Sequence, residues 1–248
     1  MQQFVIMTIA AALGLGAATT ATAAELLTNG GFETGTFSGW SATSTQQTSF
    51  QASLNDGQNS QIVSGGGSGG PVWYLRNQSA NYFGTPQTPI TGYSAFNGFD
   101  GDAGIFSLRQ AFSIAGPVAS AILGFSFATQ ASYTGAARTM DANILALNGS
   151  VAFNAFHYVL PFNNSSSWSV SNNAIDITAA LKTLGTGTYY LAFEQTIPQS
   201  YTGPAAFAID NVSLSATTSN VPEPGALVIL GAGLVGLGVA RRRATTVN

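Results

Sequence analysis

Phe106-Ser107-Leu108-Arg109-Gln110-Ala111-Phe112 largely alternates apolar with polar side chains, the period of a strand with one face on a core and the other toward water. Tyr190-Leu191-Ala192-Phe193-Glu194 repeats the pattern. Around these stretches the chain breaks into short apolar or alternating runs separated by Gly, Pro, Asn and Ser, the punctuation of antiparallel strands and tight turns. We expect strands at 48–54, 72–76, 105–114, 121–130, 142–147, 151–159, 188–195 and 206–214, and one helical turn at 177–184 capped by Asp176 or Thr178. So many short strands predict an all-β body, a β-sandwich or jelly roll.

The composition fits one such domain with short targeting segments at its ends. The 248 residues include 29 Gly, and only 7% are charged, a balance nearer to exported β-sandwiches than to cytosolic enzymes. Between residues 25 and 220 nine carboxylates stand against four cations, a net charge of −5. With no basic run, the body has no electrostatic footprint for a phosphate backbone, so nucleic acid is not an expected partner. The absence of cysteine removes disulfides, thiolate nucleophiles and Cys-held metals.

The two ends carry a different signal. The apolar run 4–18 is followed by Thr19-Thr20-Ala21-Thr22-Ala23-Ala24, small residues that offer cleavage after Ala23 or Ala24. Residues 1–24 therefore read as a signal peptide with a short signal helix, although Met1-Gln2-Gln3 supplies no basic side chain. At the other end, Val221-Pro222-Glu223-Pro224 precedes sixteen uncharged residues, Gly225 to Ala240, and then Arg241-Arg242-Arg243. As a helix the apolar segment reaches about 24 Å, a short membrane span completed only if its flanks contribute. The arginines favour the cytoplasmic side, which leaves the body outside, in agreement with the signal peptide.

Residues 221–243 closely resemble the PEP-CTERM sorting signal of Gram-negative bacteria. The resemblance rests on Pro222-Glu223-Pro224, the apolar segment 225–240 and the cluster Arg241, Arg242 and Arg243. It implies processing by an exosortase, a membrane-embedded enzyme resembling cysteine transpeptidases, with delivery to the cell surface or extracellular matrix. It also implies an association with exopolysaccharide and biofilm. Within the segment, Gly231-Ala232-Gly233-Leu234-Val235-Gly236 spells a dinucleotide-binding fingerprint, but only 12 residues follow and none is acidic. We read these glycines as thin positions of a membrane helix. The expected organisation is a signal peptide at 1–24, a sandwich at 25–215, a tether at 216–221 and the sorting signal at 222–243.

The mature chain opens Leu26-Leu27-Thr28-Asn29-Gly30-Gly31-Phe32-Glu33-Thr34-Gly35, reaches Gly39-Trp40, and later runs Ala208-Ile209-Asp210-Asn211-Val212-Ser213-Leu214. These two stretches resemble the two ends of galactose-binding-like β-sandwiches, the jelly-roll group that includes many carbohydrate-binding modules. In calcium-bearing members the resemblance places one structural Ca²⁺ on the residues equivalent to Glu33 and Asp210. An all-oxygen ligand set suits that ion. The alternative makes Glu33 a turn residue and Asp210 an acceptor of backbone N–H groups. Asp100-Gly101-Asp102 lacks EF-hand spacing and reads as a solvated turn, and Ser64-Gly65-Gly66-Gly67-Ser68-Gly69-Gly70 as a flexible loop.

Catalytic signatures are weak. The single histidine, His157, has no accompanying nucleophile motif and reads as a strand residue facing solvent. Asp141 and Glu194 can be nominated as a glycosidase pair, but their separation is not legible. The chain therefore reads as non-enzymatic. Sugar contact calls for rings beside hydrogen-bonding side chains, and Trp73, Tyr74, Tyr82 and Trp168 have such neighbours, although core packing explains each of them equally well. The leading expectation is an exported surface protein that binds exopolysaccharide. A purely structural surface protein is the alternative, and a secreted hydrolase the third reading.

Overall fold

A computed structural model describes residues 23–44, 73–77, 90–98, 103–131, 136–160, 168–199, 205–219 and 232–233. The strands in chain order are β1 Ala24–Glu25, β2 Ser41–Ser44, β3 Trp73–Asn77, β4 Tyr93–Gly98, β5 Gly104–Ile114, β6 Val118–Ala131, β7 Arg138–Leu145, β8 Val151–Leu160 and β9 Ser169–Asp176. The helix α1, Thr178–Leu184, separates these from β10, Gly187–Ile197, and β11, Ala205–Thr218. Among the described residues they form two antiparallel sheets. One runs β3-β4-β11-β6-β9 with β1 added on β11, and the other runs β2-β5-β10-β7-β8. Thr22–Ser219 forms a single unit, an all-β sandwich as expected.

The core lies between the sheets. Leu123, Phe125, Phe127, Phe207 and Ile209 of one sheet meet Phe106, Leu108, Met140, Ile144, Leu191 and Phe193 of the other, all buried. Edge-to-face contacts cross the gap, with Phe125 and Phe193 centroids 5.2 Å apart and Phe127 and Tyr158 also 5.2 Å apart. Trp73 Nε1 reaches across to the Phe106 carbonyl at 3.1 Å. Such ring pairs add about 0.5–1.5 kcal/mol each beyond the area they bury.

Most expected strands are present, and the differences have local causes. β9 was not anticipated because it is an edge strand on β6, and Ser169–Asp176 is mostly exposed. With little apolar surface to bury, its sequence reads as a loop. Alternation in β5 is also inverted at one step, since Gln110 is buried while Ala111 is exposed. The Gln110 amide clamps Thr28, accepting its N–H at 2.6 Å and donating to its carbonyl at 2.9 Å. β11 runs to Thr218, so Ala216, Thr217 and Thr218, expected as tether, belong to the sandwich. Ala24 and Glu25 pair with Ala216 and Ser215. At α1, the Asp176 carboxylate accepts the Thr178 N–H at 2.8 Å, and hydrogen bonds from Thr178 hold it below its ordinary pKa.

The expected strand at 48–54, the loop at 64–70 and Asp100 to Asp102 lie outside the described residues. So do the signal segment and, apart from 232–233, the apolar run Gly225 to Ala240. Among the described residues no helix is long and apolar enough to cross a membrane.

Candidate functional site

Two places on the sandwich concentrate polar chemistry. The first is the loop Asn29 to Trp40 where it meets β11. Here the chain folds back on itself through Asn29, whose side-chain amide donates to the carbonyls of Thr36 at 2.7 Å and Ser38 at 3.3 Å. Its own carbonyl takes Trp40 Nε1 at 3.2 Å. Phe32 is fully buried against Phe37 and Trp40, with centroids 5.8 and 5.5 Å away. Gly30 passes so close to β11 that a Cβ there would lie 1.8 Å from the Val212 carbonyl oxygen. The Gly30 carbonyl accepts the Val212 N–H at 2.9 Å. These contacts explain the opening motif residue by residue as architecture.

The same packing presents Glu33 and Asp210. Glu33 Oε1 accepts the Tyr93 N–H at 3.1 Å, and Gly92 beside it takes the left-handed φ of 78° that favours glycine, with the Glu33 carboxylate in the space a Cβ would fill. Asp210 sits at a bulge in the β11–β6 pairing and is 2% exposed. Its carboxylate accepts the Asn211 N–H at 2.7 Å and Asn211 Nδ2 at 3.1 Å, while Asn211 takes the left-handed conformation, φ 52°, that Asn tolerates well. Burial pushes the Asp210 carboxyl up to about 7 against the Asn211 hydrogen bond, and the nearby charge of Glu33 adds to the rise. The two carboxylates are therefore electrostatic neighbours, and each also makes the backbone contacts of the alternative reading. Their oxygens and unrelieved like charge fit a hard cation. Among the described residues no third His, Asp or Glu joins them, so the remaining oxygens of a Ca²⁺ shell would come from other groups.

The second place is the outer face of the β2-β5-β10-β7-β8 sheet. Strand register sets His157 beside Asp141, Asp141 beside Glu194, Glu194 beside Ser107, and Ser107 beside Thr43, one residue from each strand. His157 Nδ1 lies 2.7 Å from Asp141 Oδ1. Asn154 Nδ2 donates to Asp141 Oδ1 at 2.9 Å and to Asn143 Oδ1 at 2.8 Å, and Asn143 Nδ2 donates to Glu194 Oε2 at 2.7 Å. In the next row Ala192, fully buried, lies between Asn143 and Arg109, and the Arg109 guanidinium carbon stands 4.7 Å from the Tyr190 ring centre.

The expected sugar-stacking rings fare unevenly. Trp73 is fully buried and its indole N–H is spent on Phe106; it is a core residue and has no face to offer, a correction of the expectation. Trp168 is partly buried, edge-on to Phe96 with centroids 6.2 Å apart, against the small cluster of Ile90, Phe96, Ala128 and Ala208 on the other sheet's outer side. The Tyr74 side chain and Tyr82 lie outside the described residues. Tyr190 went unnoticed because in sequence it is one more residue of an alternating strand.

Residues 220–243 match the model of the PEP-CTERM protein-sorting motif. The chain thus carries the sorting signal expected from Pro222 to Arg243, a signal that implies an exported, surface-anchored protein. No curated protein matches the sequence. Among solved structures, TmCBM61 in complex with β-1,4-galactotriose is similar over 77% of this chain and 97% of its own, at 16% identity and a TM-score of 0.40. The K3 cleaved adhesin domain of Lys-gingipain from Porphyromonas gingivalis W83 is similar over 79% and 100%, at 15% identity and 0.41. The enzymatically active domain of bacteriophage CBA120 tailspike protein 4 aligns over 77% of this chain, at 13% identity and 0.40, and this chain spans only 21% of that one. The two-sheet architecture rests on the strand pairings above.

Proposed function

We propose that this chain is exported by its N-terminal signal, cut at Pro222-Glu223-Pro224 by an exosortase of a Gram-negative cell, and displayed at the surface or in the matrix. There it binds polysaccharide on the outer face of the five-stranded sheet, with one Ca²⁺ held by Glu33 and Asp210 steadying the fold. The observation that carries the binding reading is the polar row across five strands beside Ala192, Arg109 and Tyr190. Sugar recognition needs oriented hydrogen-bonding groups and an apolar ring in one shallow place, and this face supplies both.

Affinity electrophoresis against neutral and amino polysaccharides tests the binding reading. The parent should be retarded by at least one of them, and Tyr190→Ala should lose that retardation while its melting temperature stays at the parent's value. A parent that no polysaccharide retards would make this a structural surface protein. Sorting is tested separately: replacing Pro222, Glu223 and Pro224 by alanine should leave export intact and block removal of the tail, read by mass spectrometry of the C-terminus from cells. A C-terminus unchanged by the substitution would remove the exosortase.

A further inference from the structure

On the polysaccharide face the side-chain amides are already used. The amide nitrogens of Asn154 and Asn143 turn inward to Asp141, Asn143 and Glu194, and His157 Nδ1 meets Asp141. Beside the Arg109 guanidinium of the next row, the carboxylate row keeps two acceptors, since Asp141 Oδ2 and Glu194 Oε1 take part in none of these bonds.

Asp141 and Glu194 stand directly opposite on adjacent strands, an arrangement that like charges disfavour. The Arg109 guanidinium lies in the neighbouring row, against the Tyr190 ring. A second, independent feature lies on the same row. Ser107, cross-strand from Glu194, is 5% exposed and its buried hydroxyl has no hydrogen-bond partner. A buried hydroxyl without a partner costs stability unless something supplies one. A bare metal ion is poorly served, since among the described residues no three His, Asp or Glu side chains gather to hold one.

We infer that this face takes an amino sugar with a free ammonium, seated between Asp141 and Glu194 while a hydroxyl of the same ring pairs with Ser107. An ammonium brings three donors and no acceptor, which matches a surface left with carboxylate oxygens. Strands about 4.8 Å apart set the carboxylate pair and Ser107 at a spacing that one hexose ring can bridge. The inference rests on the polysaccharide reading and narrows it from glycans in general to those with unacetylated amines.

The test uses the full-length chain in detergent and four probes: hexamers of β-1,4-glucosamine, of N-acetylglucosamine and of glucose, and hexalysine. Charge-assisted bonds to two carboxylates predict that the glucosamine hexamer binds about tenfold or more tighter than its acetylated counterpart. That preference should shrink as salt is raised and collapse in Asp141→Asn and in Glu194→Gln. Equal binding of the acetylated and free hexamers, or a preference that survives both substitutions, overturns the inference. Hexalysine binding as tightly as the glucosamine hexamer also overturns it, by reducing the face to a general cation patch. Retention of neutral hexamers alone removes the amine preference and leaves the polysaccharide reading standing, whereas retention of none removes both. Should a variant melt early, the salt response of the parent and its preference between the two glucosamine-based hexamers still decide.

Discussion

The loop Asn29 to Trp40 and the outer face of the five-stranded sheet are both dense in polar side chains, and they use them in opposite ways. In the loop, Asn29, Thr34 and Thr36 bond to one another and to nearby carbonyls, and the chain closes on β11 with no room at Gly30. On the sheet, Asn143 and Asn154 anchor the carboxylates, each of which keeps an oxygen outside these bonds. The loop spends its polarity on the chain itself, and the face holds it for something else. Damage to the loop should therefore appear as lost stability, and damage to the face as lost binding.

The largest expected effect is at Gly30. An alanine Cβ would meet backbone, the Val212 carbonyl oxygen, so the strand must move and its bond to Gly30 is lost. Gly30→Ala should cost about 3 kcal/mol, a fall of roughly 6–12 °C in melting temperature for a domain of this size. Glycan binding measured below that melting point should be unchanged. A Gly30→Ala chain that melts with the parent would break the comparison by showing the loop to be adaptable.

An intermediate effect is expected at Asp210, where the loop's polarity is not fully spent. Its folded carboxyl titrates near 7, above its value in the unfolded chain, so the folded state binds the proton more tightly. Stability is then highest below the unfolded value and declines as pH rises from about 4 to about 7. Asp210→Asn should flatten that decline. Calcium binding to the folded state alone should raise the parent's stability by about 2.7 kcal/mol at a hundredfold excess over its dissociation constant, and Glu33→Gln with Asp210→Asn should abolish the increment. Denaturant titrations across pH, with and without calcium, measure both. A calcium response that survives in the double variant would move the ion elsewhere, and no response in the parent would leave Glu33 and Asp210 as backbone acceptors.

The smallest stability effect belongs to the face. His157 is about half exposed, with 53% of its side chain accessible, and an ion pair to a partly exposed carboxylate is worth about 0.5 kcal/mol or less. His157→Asn should therefore melt within about 1–2 °C of the parent. A larger loss would sharpen the comparison by showing that this row braces the sheet as well as facing outward.

How much of this the sequence held follows from where each contact is made. The opening loop was legible because most of its determinants are local: Asn29, Phe32 and Trp40 meet within a dozen residues, and Val212, the distant partner of Gly30, lies with Asp210 in a comparably compact run on β11. Trp73 misled because an indole serves a core and a sugar with the same ring, and only its hydrogen bond to Phe106 in the opposite sheet separates the two. The polar face was barely legible. Asp141, Asn143, Asn154, His157, Tyr190 and Glu194 are scattered along the chain and meet through register alone, and a one-residue slip would send them to the other side. β9 stayed hidden for the complementary reason, an edge strand with almost nothing to bury.

β11 is flanked by β4 and β1 on one side and by β6 on the other, and it ends at Thr218, two residues before the sorting motif begins at 220. Tension applied through an anchored tail enters the domain along the axis of this interior strand. Antiparallel ladder bonds lie across the strand direction, so the pull loads many of them together in shear instead of peeling them one at a time. For a protein tethered in flowing liquid, the strand that joins it to its anchor is also the one best placed to bear the drag.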